Sequence, residues 1–503
     1  MSQHRPRTAR ALCAAGLFVA VSASRSVTAE PVATQALDPA ATLFTIDGQP
    51  GRRLVVDAPV AGLVSRSAVI SPTIYLERCI GGCSVHRGTD NDSRSNTSTI
   101  PKVQNAVISE FVNGQGQRGA AADAEWGQLV QCLREVYSPY NIQVTDVRPS
   151  GDYHEAIVAG VPSDIGLASD ILGVAPLASD CRAIDDVMSF TFANHHPPTD
   201  RLLNICWTAA QESAHAFGLD HEYSFSGNRS ACSDPMTYRN DCGGEKFFRN
   251  EPASCGEYTS RACKCGASQN SHQKLLSVFG PGTPITGPPA VTLTAPTGGS
   301  GLGRLVSAQA GGKRGIARVE AWFNGFSWAS APGAVFGPSG QANPSPYSIA
   351  VPAALPDGIV DVKAVAYDDL GAAASSTTVT VTKGAPCVTA ATCAAHQKCE
   401  AGRCFWDPPV GELGDGCTYP QLCKSGICRG ATGAQTCAQD CVAGVEDGCP
   451  VGFDCMAGSD GHGECVSSSG GGCCSADRGG QGWLVPGASA ALLLGLLARR
   501  RRR

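Results

Sequence analysis

Twenty-two of the chain's 25 cysteines fall into two blocks, ten between Cys79 and Cys265 and twelve between Cys387 and Cys465. Both counts are even, which predicts two separately disulfide-bonded regions formed in an oxidising compartment, with a connectivity that spacing alone leaves open. No CxxC pairs repeat at zinc-ribbon spacing, so the cysteines are read as disulfides rather than as a ribbon-type metal site. The 503-residue length predicts several domains around these blocks.

Both ends of the chain read as addresses. Arg5, Arg7 and Arg10 precede an apolar run from Ala11 to Val21, and Ser26-Val27-Thr28-Ala29 suits cleavage after Ala29. Residues 1–29 are therefore expected to be a signal peptide and the protein to be exported. Between residues 30 and 474 lie 29 basic and 43 acidic side chains, a net charge of −14 against −5 for the whole chain. That balance argues against nucleic acid or anionic lipid as a partner of the mature chain. At the other end, a linker at 467–482 carries Cys473-Cys474, and 483–503 holds an apolar run from Trp483 to Ala498 followed by five arginines. The arrangement resembles the myxobacterial C-terminal sorting tail, MYXO-CTERM. The resemblance implies display at the cell surface, membrane association through the tail, and Cys473 or Cys474 as the processing or lipidation site. A plain tail anchor is the alternative.

Residues 211–221 read Gln-Glu-Ser-Ala-His-Ala-Phe-Gly-Leu-Asp-His, one letter from HExxHxxGxxH. On a helix, Gln211 and His215 project from one face about one turn apart, with Glu212 beside them. Gly218 lets the helix end and the chain turn, which would bring His221 to the same place. Fifteen residues after His221 comes Met236, inside Ser-Asp-Pro-Met-Thr-Tyr.

The two motifs, in this order and spacing, resemble those of metzincin zinc metallopeptidases. The resemblance implies zinc as cofactor, His215 and His221 as zinc ligands, Glu212 as general base and Met236 as the Met-turn beneath the metal. Tyr238 matches the tyrosine that in some metzincins contacts the metal or the oxyanion; the alternative is a core aromatic. Gln211 departs from the pattern, since a neutral amide oxygen holds zinc more weakly than imidazole. Three outcomes stay open: Gln211 coordinates through its oxygen, His195 or His196 supplies the missing nitrogen, or the site is empty and the domain binds rather than cuts. The implied activity is hydrolysis of extracellular protein or peptide substrates, with an inactive surface binding or adhesion protein as the alternative.

The expected fold is multidomain: an α+β metzincin-like domain with a mixed sheet and helices, an all-β Ig-like sandwich, and a small disulfide-rich module. Residues 30–66 are patternless and read as an N-terminal extension or propeptide. The first domain is placed at 67–280. Its expected elements are a strand over Ala68–Leu76, at an edge or split because of Pro72; a helix over Asp123–Tyr137; strands at Ile142–Val147, Ala156–Ala159 and Val187–Phe192; and the motif helix from Leu202 to Phe217. Asp90-Asn91-Asp92 lacks EF-hand spacing and reads as a solvated loop. Among residues 242–265, disulfides are expected to take the place of an apolar core. A Pro/Gly linker at 281–289 leads to residues 290–383, whose alternating segments predict the β-sandwich; it resembles bacterial Ig-like modules. The Cys-rich module is placed at 384–466.

Overall fold

The structure, a computed structural model, describes residues 45–46, 49–58, 70–226, 229–240, 242, 244–333, 344–393 and, with short interruptions, 397–467. The expected signal peptide, most of the N-terminal extension, and the tail with Cys473 and Cys474 lie outside the described residues. Among the described residues no helix is long and apolar enough to cross a membrane.

The first domain is a six-stranded sheet with two helices packed together against it. Its strands are β1 (Arg52–Ala58), β2 (Thr73–Glu77), β3 (Gln143–Thr145), β4 (His154–Val158), β5 (Ile171–Ala178) and β6 (Met188–Thr191), in the spatial order β1-β5-β6-β4-β2-β3. Only the β5–β6 pairing is antiparallel. Helix α1 (Asp123–Tyr137) buries Trp126, Leu129, Val130, Leu133 and Val136, the face its periodicity predicts. Helix α2 (Arg201–Ala216) is buried at every residue from Asn204 onward, and Cys132–Cys206 ties it to α1.

Two placements differ from expectation. Pro72 precedes an interior strand rather than an edge, because that strand begins at Thr73 and the missing N–H falls outside the ladder. The patternless N-terminal stretch supplies β1, which pairs in parallel with β5 over its whole length.

Beyond α2, Glu222–Phe225 pairs on either side with Arg229–Ser230 and Ala253–Cys255. Helix α3 (Ser271–Phe279) follows, its first turn capped by Asn270 Oδ1 accepting from the Gln273 N–H at 2.9 Å. Disulfides Cys232–Cys242, Cys255–Cys263 and Cys181–Cys265 staple this region. They do not replace its apolar packing as expected, because Phe247 and Phe248 insert fully into the main core beside Tyr137 and Tyr140.

Residues 290–383 form the expected sandwich. Strands β7 (Ala290–Ala295), β8 (Leu305–Gly311), β9 (Arg318–Phe323), β10 (Phe326–Pro332), β11 (Ser345–Ala350), β12 (Gly358–Tyr367), β13 (Ala373–Ser375) and β14 (Val379–Lys383) are all antiparallel. One sheet is β7-β8-β11 and the other is built around β9 and β12. Their inward residues, among them Val306, Val319, Phe323, Ile349, Val362 and Val381, make a separate core.

The sandwich is docked, not merely tethered. Asp369 accepts from Arg314 at 2.7 and 2.9 Å and from Arg249 of the first domain at 2.8 Å, all three being buried. In the Cys-rich region the twelve cysteines form three successive units, 387–399 with 393–404, 417–428 with 423–437, and 441–455 with 449–465.

Candidate functional site

Helix α2 carries Gln211, Glu212 and His215, and all three side chains are fully buried. The helix ends as its sequence dictates. Gly218 has φ +94°, and a Cβ there would lie 2.0 Å from the Cys181 carbonyl oxygen, so only glycine turns the chain at this point. The turn brings His221 back onto His215, with ring centroids 4.6 Å apart and ring planes at 87°.

The two imidazoles are each oriented from behind. His215 Nδ1 lies 2.7 Å from the Leu219 carbonyl oxygen, which can only accept, so its proton sits on Nδ1 and Nε2 is bare. His221 Nδ1 lies 2.9 Å from Glu257 Oε1, which fixes the same tautomer. Glu257 is held well below the usual carboxylate range by its hydrogen bond to His221 and, against burial, by Arg261. Arg261 also forks onto Asp220 at 2.6 and 2.9 Å, and Asp220 Oδ1 accepts from the His221 N–H.

The two bare Nε2 atoms consequently face each other at 3.1 Å. Opposed lone pairs at that distance repel unless a cation or a proton lies between them. Burial, and then His221, hold His215 down at about 3, so a proton is disfavoured near neutral pH. Two nitrogens on a tetrahedral zinc, each about 2.0–2.1 Å from it, stand roughly 3.3 Å apart. The pair therefore fits a nitrogen-preferring divalent cation.

Glu212 lies beside them with both carboxylate oxygens lacking a hydrogen-bond partner. Burial pushes its carboxyl well above the usual range, and the nearby Arg53 guanidinium pulls it back part of the way. Gly173 of β5 makes room for it: a Cβ there would come within 2.5 Å of Glu212 Oε1.

Met236 is fully buried and its N–H is held by Asp234 Oδ1 at 2.8 Å, while its carbonyl accepts from the Glu222 N–H at 2.8 Å and from Gln211 Nε2 at 3.1 Å. Asp234 also accepts from the Arg249 N–H and the Ser271 hydroxyl, at 2.7 and 2.6 Å. Tyr238 packs edge-on against His221, ring centroids 4.8 Å apart.

Arg53, which nothing in its patternless surroundings marks out, enters this site from β1. One Nη1 donates both to Gln211 Oε1 at 2.9 Å and to the Thr237 carbonyl at 2.7 Å. Its backbone N–H donates to Tyr238 Oη at 2.8 Å, and the same hydroxyl donates back to the Arg53 carbonyl. Gln211 is thus brought to the site with its amide oxygen facing a guanidinium. Of the two other histidines, His195 is half-buried and contacts the Ser169 carbonyl. His196 is buried; burial, and then the cations of Arg53 and Arg201, keep it far below its ordinary pKa. Glu257 and Gly173 also escape sequence reasoning, since each acts through a partner distant in the chain, and Asp220 escapes it because the Arg261 that holds it lies 41 residues on.

A second polar cavity, of about 390 Å3, lies between the sandwich and the Cys-rich region, lined by Arg318, Glu320, Trp328 and Arg429. It is remote from the histidine pair.

No family model matches the chain, and no curated protein does. Among solved structures, the fibronectin(III)-like modules of CbhA from Clostridium thermocellum are 21% identical over 26% of this chain and 59% of theirs, with a TM-score of 0.15. Catalytically inactive OgpA from Akkermansia muciniphila, in complex with an O-glycopeptide (glycodrosocin) substrate, is 11% identical over 47% of this chain and 66% of its own, with a TM-score of 0.14. The chain covers less than two thirds of either, and both superpositions are too loose to bear on the site.

Proposed function

We infer that the chain is an exported, surface-displayed zinc metalloendopeptidase of metzincin type acting on extracellular proteins or peptides. The observation that carries this is the pair of bare Nε2 atoms of His215 and His221 facing each other at 3.1 Å, beside a buried carboxylate without a partner. His215 and His221 would hold the ion, with Gln211 Oε1 the third donor once Arg53 no longer occupies it. Bound zinc would supply polarisation of the scissile carbonyl and acidification of a water.

The chain's own groups account for the proton traffic. Glu212 takes the proton from the attacking water and returns it to the amine nitrogen as the C–N bond breaks. Its burial raises its basicity, suiting it to that transfer. Tyr238 Oη, which clamps both polar groups of one backbone residue, orients the strand at the reacting position. Export and surface display rest on the N-terminal and C-terminal sequence features.

A second function, a surface binding protein on an inactive site, is favoured by one observation: Arg53 engages Gln211 and Tyr238 together. Zinc content and hydrolysis of unfolded protein by the purified full chain, its Glu212→Ala and its His215→Ala variants test the two. Stoichiometric zinc lost only in His215→Ala, with hydrolysis lost in both, is expected of the enzyme. Absence of zinc and of hydrolysis from the wild-type chain and from Arg53→Ala alike would leave the binding function.

A further inference from the structure

The cavity between the sandwich and the Cys-rich region draws its walls from three modules. Residues 318, 320 and 327–330 belong to the sandwich, residues 427–430 and Gln435 to the second disulfide unit, and Glu464 to the third. Strand β10 reaches the cavity with four consecutive residues because it is bulged. Ala321 pairs with Ala329 and Trp322 with Ser327, so Trp328 is an extra residue between them, on the outer strand of its sheet. A bulge on an edge strand re-aims a side chain. Here it gives the cavity a half-buried indole.

The charged groups at this junction close a ring. Arg318 Nε donates to Glu320 Oε1 at 2.7 Å, and Arg318 Nη2 donates to Asp440 Oδ2 at 3.3 Å. Arg429 Nη1 donates to Asp440 Oδ1, and its Nη2 lies 3.7 Å from Glu320 Oε1. Glu320 Oε2 accepts from Trp322 Nε1 and from the Tyr367 hydroxyl, at 2.9 and 3.2 Å. The side chains of Arg318 and Glu320 are each only 4% exposed. Arg318 Nη1 is left over, buried with no acceptor among the described residues. A buried donor of this kind carries a desolvation cost that an arriving acceptor would offset.

Charge balance decides what can arrive. Two arginines cancel two carboxylates, and Glu464 leaves the junction with no excess of positive charge, so a phosphate, sulfate or carboxylate finds no net attraction. A cation would meet two guanidinium groups. A neutral pyranose matches every wall: an oxygen to accept from Arg318 Nη1, hydroxyls for Gln435 and Glu464, and a flat C–H face for the indole. A volume of about 390 Å3 suits one or two such rings. We propose that this cavity binds a neutral saccharide, stacked on Trp328 with a ring hydroxyl accepting from Arg318 Nη1. The site does not involve the histidine pair, so it stands whether or not the chain is a peptidase.

Saturation-transfer NMR on the purified full chain tests it. The probes are the methyl glycosides and β-linked dimers of glucose, galactose, mannose and N-acetylglucosamine, with methyl glucuronide and methyl galacturonide as anionic controls, each at about 5 mM. At least one neutral probe should bind saturably, with the strongest transfer to its ring C–H protons, and neither anionic control should bind more tightly. Trp328→Ala should weaken that probe at least about tenfold, and Trp328→Phe, which keeps an aromatic face, only a few-fold. Trp328 also packs against the sandwich core, so Gln435→Ala and Glu464→Ala, from the Cys-rich side, are measured beside it. Each should weaken the probe at least about threefold while keeping the thermal midpoint of wild type. Absence of binding by every neutral probe overturns the site, as does tighter binding of an anionic control. Unchanged affinity in Trp328→Ala also overturns it; should that variant not fold, unchanged affinity in both Gln435→Ala and Glu464→Ala does so.

Discussion

Nε2 of His215 and Nε2 of His221 lie 3.1 Å apart with their protons fixed on the opposite nitrogens, so each ring offers the other only a lone pair. A shared cation would relieve the repulsion, and how firmly the rings would hold it depends on what orients them from behind.

The first prediction concerns that outer support. Glu257→Ala removes the acceptor that fixes the His221 tautomer without leaving a buried void, since Glu257 is one-third exposed. Zinc affinity, read by competition with a chromophoric chelator, should fall by about 10- to 100-fold, with the thermal midpoint of the metal-free chain little changed.

A second prediction concerns the room kept for Glu212. Gly173→Ala places a methyl 2.5 Å from Glu212 Oε1, on the strand position in register with Arg53. The expected loss is about 1–3 kcal/mol of stability by overpacking, with a larger proportional loss of hydrolysis. Chemical denaturation together with turnover per folded molecule checks it.

Asp369 supplies the third. Asp369→Ala leaves Arg249 and Arg314 buried without their carboxylate, which should cost roughly 3–5 kcal/mol. Because the Arg249 N–H and the Met236 N–H bind the same Asp234, zinc affinity of the variant should fall as well. A loss of stability confined to the sandwich, with metal binding intact, would contradict it.

pH dependence gives the fourth. Burial pushes Glu155 of β4 up to about 8, so the folded chain keeps a proton that the unfolded chain releases near 4.5. The stability from this group is complete below 4.5 and declines as pH rises toward 8. Glu155→Gln, which mimics the protonated form, should therefore gain in denaturation midpoint relative to wild type between pH 5 and pH 8.5. A constant difference across that range would refute the assignment.

Much of the fold follows from local pattern. The α1 face reads directly from Trp126, Leu129, Leu133 and Val136, and β12 from its alternation. Strand β5 escapes because Ile-Leu-Gly-Val-Ala-Pro-Leu-Ala is buried on both faces and so has no period. At the site, Glu212, His215, Gly218 and His221 are legible because one helix and one turn place them. Their partners are not: Glu257 stands 36 residues from His221, and Arg53 stands 158 from Gln211. Contacts of that separation are fixed by sheet topology, which no window of sequence contains.

Arg53 Nη1 holds Gln211 Oε1 at 2.9 Å from within the same chain. Anything that is to use that oxygen must first displace a guanidinium whose Nη1 is also held by the Thr237 carbonyl, so the availability of Gln211 is decided by a competition inside the molecule.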